Sequence, residues 1–297
     1  MQETAPHTRS FAGGVRRAGL VRLFVFFLVL FLAYAGPQIL LQLQILPHAA
    51  KDLREVILLA HAAITAMLGL GVYGLLVAVF ERRHAIELNP GRGLPLAAAG
   101  LGLAILMFCV VYAVLFALRA AAWHGFAGTA WLAAMAGLAI ASGVCEELIF
   151  RGGIYRITED MFGTGAALVI SGALFGLLHL ANPHASLLAG IAIALEAGIL
   201  LGAAYAATRS LWFPIGIHIG WNFAEGGVFG APVSGSPAGR GLFDLPLSGP
   251  EWLTGGAFGP EASLVTVAIC TLAGLYFVVR TIRSGRWCRV GFRLMLD

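Results

Sequence analysis

The sequence predicts an all-α protein: a polytopic membrane bundle of about eight transmembrane helices. Composition is the first reason. Of 297 residues, 59% are hydrophobic and 11% are charged, whereas a soluble domain carries about 25% charged residues. The mean hydropathy of +0.87 is the second reason. The third is patterning, because the apolar residues fall into segments near the ~20 residues needed to cross a bilayer. Inside lipid such segments must be helical, since the backbone has no water to bond.

The segments run approximately over residues 20–46, 56–80, 94–118, 129–156, 164–181, 185–207, 211–229 and 261–280. They form one integral membrane domain, residues 1–297, with a chemically loaded core at about 129–229. The largest polar insert, 230–260, is rich in Gly, Pro and Ser and too aperiodic to fold alone. Arg9, Arg16, Arg17 and Arg22 precede the first segment; Arg82, Arg83 and Arg92 follow the second. Arg280, Arg283, Arg286, Arg289 and Arg293 follow the eighth. The alternate loops hold only Lys51, Arg54, Arg119 and Arg240. With eight spans both termini share the arginine-rich side, which the positive-inside bias places in the cytoplasm. The expected location is a bacterial inner membrane.

The first segment also has features of a signal peptide. Arginines lead into an apolar run and then Ala33-Tyr34-Ala35, an A-x-A pattern. The run continues to Leu46, longer than an h-region, which favours a retained helix. Nucleic acid is not an expected partner, because the arginines cluster at helix ends and form no continuous basic face. Cys109, Cys145, Cys270 and Cys288 show no CxxC and no metal spacing.

The chemistry centres on Glu146 and Glu147, adjacent carboxylates inside an apolar segment. Each costs roughly 2.5–3.5 kcal/mol near a helix centre in lipid. Glu147 and Arg151 share a helix face at i,i+4 and can pair. Glu146 is rotated by about 100°, which leaves it available as a base. The bland reading is an ion-paired girdle at a helix junction. Residues 161–165 read as a turn, with Glu146 and His179 at similar distances before and after it. Each lies roughly 24 Å from that turn, so they face each other at matching height in an antiparallel hairpin. A lone helical histidine is more often a satisfied core residue, but the matched carboxylate favours function. His218 and Asn222, also i,i+4, point the same way and offer donors suited to an oxyanion. The bland reading there is helix–helix glue.

Zinc bound by Glu146, His179 and His218 is an alternative, but the chain lacks the HExxH helix signature. A metal-free carboxylate mechanism without cofactors is therefore expected. Serine catalysis is weaker, since Ser142-Gly143 lacks the preceding glycine of a GxSG motif. Glu196, mid-span, divides evenly between structure and function. Glu225 lies near a helix end, where a solvated carboxylate is ordinary. His61 reads as structural.

Glu146-Glu147-x-x-x-Arg151, Phe175-x-x-x-His179 and His218-x-x-x-Asn222, in this order on successive apolar segments, resemble a known signature. It is that of the CAAX protease and bacteriocin-processing (CPBP, or Abi) family of intramembrane endopeptidases, which includes the type II CAAX prenyl proteases. The resemblance implies a conical helical bundle with a cavity open to cytoplasm and membrane. It implies that Glu146 and His179 activate a water, that His218 and Asn222 stabilise the oxyanion, and that Glu147, Arg151 and Phe175 support them. The expected partner is a membrane-associated protein or peptide, cut near its C-terminus or membrane anchor. Some members are described as immunity or scaffold proteins, so a non-proteolytic interaction protein is the alternative. A transporter would need discontinuous helices in inverted halves, which the glycine-rich runs do not show. The sequence selects neither the substrate nor an oligomeric state.

Overall fold

The computed structural model describes residues 7–50, 53–236 and 241–289, with side chains from residue 18 onward. Lys51, Arg240 and Arg293 lie outside the described residues, as do the side chains of Arg9, Arg16 and Arg17.

The chain is a helical bundle. Helix α1 (His7–Leu40) contains Pro37 and runs into a π turn at Leu41–Ile45. Proline removes one backbone donor from the helical ladder. Helices α2 (Arg54–Glu81) and α3 (Gly93–Ala117) follow. Helix α4 (Leu132–Glu147) continues through a π-helical segment, Leu148–Tyr155, into α5 (Arg156–His179). A short α6 (Leu187–Ile193), a π turn (Ala194–Ile199) and α7 (Leu200–Thr208) form one further apolar run. Helix α8 (Trp212–Asn222) ends in a π turn, Phe223–Val228. The short α9 (Glu251–Thr254) and the long α10 (Leu264–Arg283) complete the bundle.

Six helical stretches among the described residues are long and apolar enough to cross a membrane. One of them, Leu132–His179, holds two of the expected segments in 48 residues. It breaks at Gly163, whose φ of 82° and ψ of 171° lie outside the helical region, inside the expected turn. The hairpin packs back on itself: Ser171 Oγ donates to the Phe150 carbonyl at 3.3 Å, and the Phe150 and Phe175 rings meet at 4.7 Å. The run 212–228 falls short of membrane length. It is buried along nearly its whole length, so protein surrounds it and no lipid thickness dictates its extent.

Large apolar side chains face outward, Leu94 at 81% and Leu188 at 78% exposed. This surface suits hydrocarbon, not water. The first segment is part of the packed bundle, with Phe26 and Leu30 in the core.

One end of the bundle is an ionic layer. Arg22 contacts Glu81 and Asp160, and Arg156 forms two hydrogen bonds to Glu81, at 2.7 and 2.8 Å. Arg209 binds Glu159 and the Arg286 carbonyl. Burial disfavours the Arg209 cation, yet its bond to Glu159 holds its pKa above the ordinary value. These contacts gather the middle of α1, near the start of its apolar stretch, the ends of α2, α7 and α10, and the start of α5 on one side.

The insert near residues 230–260, too aperiodic to fold alone, docks onto the bundle. Strand β1 (Gly125–Phe126) pairs antiparallel with β2 (Phe243–Asp244), in the register Gly125↔Asp244 and Phe126↔Phe243. Leu245, Leu253 and Phe258 are buried in the common core.

Helix α8 packs most extensively on α3. The contact is backbone on backbone: a Cβ at Gly216 would overlap the Ala97 carbonyl, and one at Gly100 would overlap that of Phe213. Small residues permit such close approach in membranes. Gly216→Val should therefore push α8 off α3 and cost about 1–3 kcal/mol. The check is a fall in detergent melting temperature. Gly102→Ala, with nothing within 4 Å of its Cβ position, should show no such fall.

Candidate active site

The site lies where the end of α4, the end of α5 and the middle of α8 meet. A π-helical segment begins directly after Glu147 and contains Arg151. Arg151 is fully buried. Its Nη1 donates to Glu147 Oε1 at 2.8 Å, the pair expected from i,i+4 spacing. Its Nη2 donates to the carbonyls of Ala197 at 2.7 Å and Gly198 at 3.1 Å. Both carbonyls belong to the π turn Ala194–Ile199, where the regular hydrogen-bond ladder is displaced. The guanidinium also lies 4.8 Å from the centre of the Phe175 ring, a favourable cation–π distance.

Glu147 is fully buried and engages His218, with Nδ1 2.9 Å from Oε1. An ionised carboxylate only accepts, so Nδ1 carries the proton of that bond. His218 then turns Nε2 toward Glu146 Oε2, 3.8 Å away. Glu146 retains 18% side-chain exposure, whereas Glu147 has none. The two carboxylates thus have different environments, as their helical rotation requires. The Tyr34 hydroxyl of α1 also lies against Glu146.

His179 directs Nδ1 to the Phe175 carbonyl at 2.8 Å and packs its ring 4.5 Å from that of Phe175. The carbonyl accepts, so in the neutral ring Nε2 is the free acceptor. Phe150 meets Phe175 across the hairpin. Glu146 and His179 each stand four residues further from the turn, at corresponding height. No ion pair joins them among the described residues; the imidazole beside Glu146 is that of His218. Asn222 Nδ2 donates to Ser142 Oγ at 3.0 Å, and that hydroxyl donates to the Leu138 carbonyl at 3.0 Å. One amide hydrogen and the carbonyl oxygen of Asn222 are left for other partners.

Phe175, His179, His218 and Asn222 line one cavity of about 30 Å³, together with Glu196 and Glu261. That volume holds a water bonded to several polar groups. No cluster of three or more His, Cys, Asp or Glu able to hold a metal ion occurs among the described residues.

Several features escaped sequence reasoning. Glu225 is fully buried, not solvated at a helix end, because the insert 230–260 folds over it. The Ala231 amide bonds the Glu225 carbonyl at 3.0 Å. Tyr34 lay within a pattern that also fits a cleavage site, and only tertiary packing brings it to Glu146. Glu261 opens the last apolar segment; its place in the cavity wall follows from packing alone.

No curated protein and no solved structure matches the chain. A family model described as "Type II CAAX prenyl endopeptidase Rce1-like" matches residues 128–224. The match contains all three motifs, from Glu146 to Asn222, and coincides with the core that carries the site. Residues 128–224, about a third of the chain, are thus similar to the Rce1-like type II CAAX prenyl endopeptidase family.

Proposed function

We propose that this protein is an intramembrane endopeptidase that hydrolyses a peptide bond near the C-terminus or membrane anchor of a membrane-associated protein or peptide. The observation that carries the reading is the unequal pair of carboxylates around His218. Glu147 is immobilised by Arg151 and His218. Glu146, partly exposed, is the carboxylate left to take a proton.

In this mechanism a water lies within reach of Glu146, with His179 Nε2 positioning it. Glu146 removes one proton, and the hydroxide attacks the scissile carbonyl carbon. The free amide hydrogen of Asn222 and the His218 ring stabilise the oxyanion. His218 can donate from Nε2 only when protonated, because Nδ1 already serves Glu147. Collapse of the tetrahedral intermediate expels the amine, which takes the proton held by Glu146. Donors arranged in a water-poor site stabilise developing charge more strongly than they would in water.

The protein resides in a membrane, and the ionic layer at Arg22 of α1 and at the ends of α2, α7 and α10 faces the cytoplasm in this reading. That orientation places both ends of the chain in the cytoplasm.

Glu146→Gln keeps shape and removes basicity, so cleavage should be abolished with the melting temperature unchanged. Wild-type processing in the Glu146→Gln membrane proteome would instead favour a non-proteolytic scaffold or immunity protein. Glu147→Gln strips Arg151 and His218 of their common acceptor. Breaking a buried pair typically costs about 3–5 kcal/mol. Stability and cleavage should fall together, and Arg151→Ala should reproduce part of the loss. Melting temperature and cleavage rate measured side by side test this; a wild-type melting temperature for Glu147→Gln would reverse the two assignments. Cleavage should also survive chelators, with zinc far below one atom per chain. Activity lost on zinc removal and restored on its addition would make Glu146 and the histidines ligands.

A further inference from the structure

The proposed water chemistry leaves one wall of the cavity unused. Glu196 sits in the π turn Ala194–Ile199 and is 2% exposed, with both carboxyl oxygens lacking a hydrogen-bond partner. It lines the same cavity as His179 and His218. The nearby cation is committed elsewhere: Arg151 spends its terminal nitrogens on Glu147 and on the carbonyls of Ala197 and Gly198, the two residues after Glu196. Across the cavity stands Glu261, held in place by Trp221 Nε1 at 3.0 Å and by the Ser234 amide and hydroxyl at 2.8 and 2.7 Å. Glu225, fully buried, lies against Glu261. The wall thus presents acceptors to a cavity that no Lys or Arg lines among the described residues.

A buried polar group without a partner costs free energy that a donor-bearing ligand recovers. A primary ammonium suits such a wall, because its three hydrogens radiate from one compact centre and can serve more than one carboxylate.

We propose that Glu196, with Glu261 opposite, forms a primary-ammonium subsite next to the reactive groups. The inference rests on the peptide-hydrolase reading for the identity of its ligand as a peptide. Two sources offer this chemistry: a lysine side chain close to the scissile bond, or the α-amine that hydrolysis frees on the departing fragment. The subsite recognises an ammonium over a neutral isostere.

Binding measured without turnover tests the subsite separately from cleavage. Full-length Glu146→Gln protein in nanodiscs is titrated with fluorescent peptides sharing one apolar stem. The stem carries lysine or norleucine at each scanned position, or a free or acetylated N-terminus. For at least one placement, the ammonium peptide should bind about tenfold or more tightly than its neutral counterpart. Adding Glu196→Gln should bring the ratio to within about twofold of unity, and Glu196→Asp should restore part of it. Preference for lysine assigns the side chain as ligand; preference for the free N-terminus assigns the product amine. Equal binding of charged and neutral peptides, or a preference that survives Glu196→Gln, would overturn the subsite. Absence of cleavage by the wild type, with the binding preference intact, would refute the hydrolase reading and leave the subsite standing.

Discussion

The fully buried guanidinium of Arg151 is the constraint on which the rest of the site depends. A charge in the bundle interior must be matched by fixed acceptors, because water cannot solvate it. Arg151 meets that need with one carboxylate, two main-chain carbonyls and the face of Phe175. These partners come from α4, from the π turn before α7 and from α5. One side chain therefore ties three apolar segments into a single arrangement. It also decides which glutamate is immobile, since Glu147 shares its helix face and Glu146 does not.

Irregular helix turns convert that arrangement into a cavity. Three π-helical segments border the site: the one after Glu147, the one bearing Glu196, and the one directly after Asn222. A π turn shifts the phase of the side chains that follow and displaces carbonyls from the ladder. At 194–199 those carbonyls become ligands for Arg151, and Glu196 is left facing the interior. Glycines do the complementary work on α8, letting it approach α3 at backbone distance. The central helix can then be short, since its neighbours, not lipid, cover it.

The polar interior has two halves with different character. Around Arg151 and His218 the carboxylate and the cations are paired, although Glu147 Oε2 and Arg151 Nε keep no hydrogen-bond partner. Around Glu196, acceptors outnumber donors. Under the proposed activity, a peptide substrate brings the missing groups: a carbonyl to be attacked and donors to be accepted. A cavity built this way is completed by its ligand.

Much of this was legible in the sequence. Apolar segment lengths fixed the helical membrane class, since lipid permits a spanning segment little else. The i,i+4 spacings of Glu147 with Arg151 and of His218 with Asn222 put each pair on one face, and the turn at Gly163 set Glu146 and His179 at equal height. Those inferences need only helix periodicity and rise, which are local properties. The partnership of His218 with both glutamates, the burial of Glu225, the approach of Tyr34 and the entry of Glu261 into the cavity wall were not legible. The same limit holds for the count of spans, because α8 is short and enclosed. Each depends on which helix faces which and on where irregular turns shift the phase. Many rotations and neighbours are compatible with one apolar pattern, and only packing of the whole bundle selects among them.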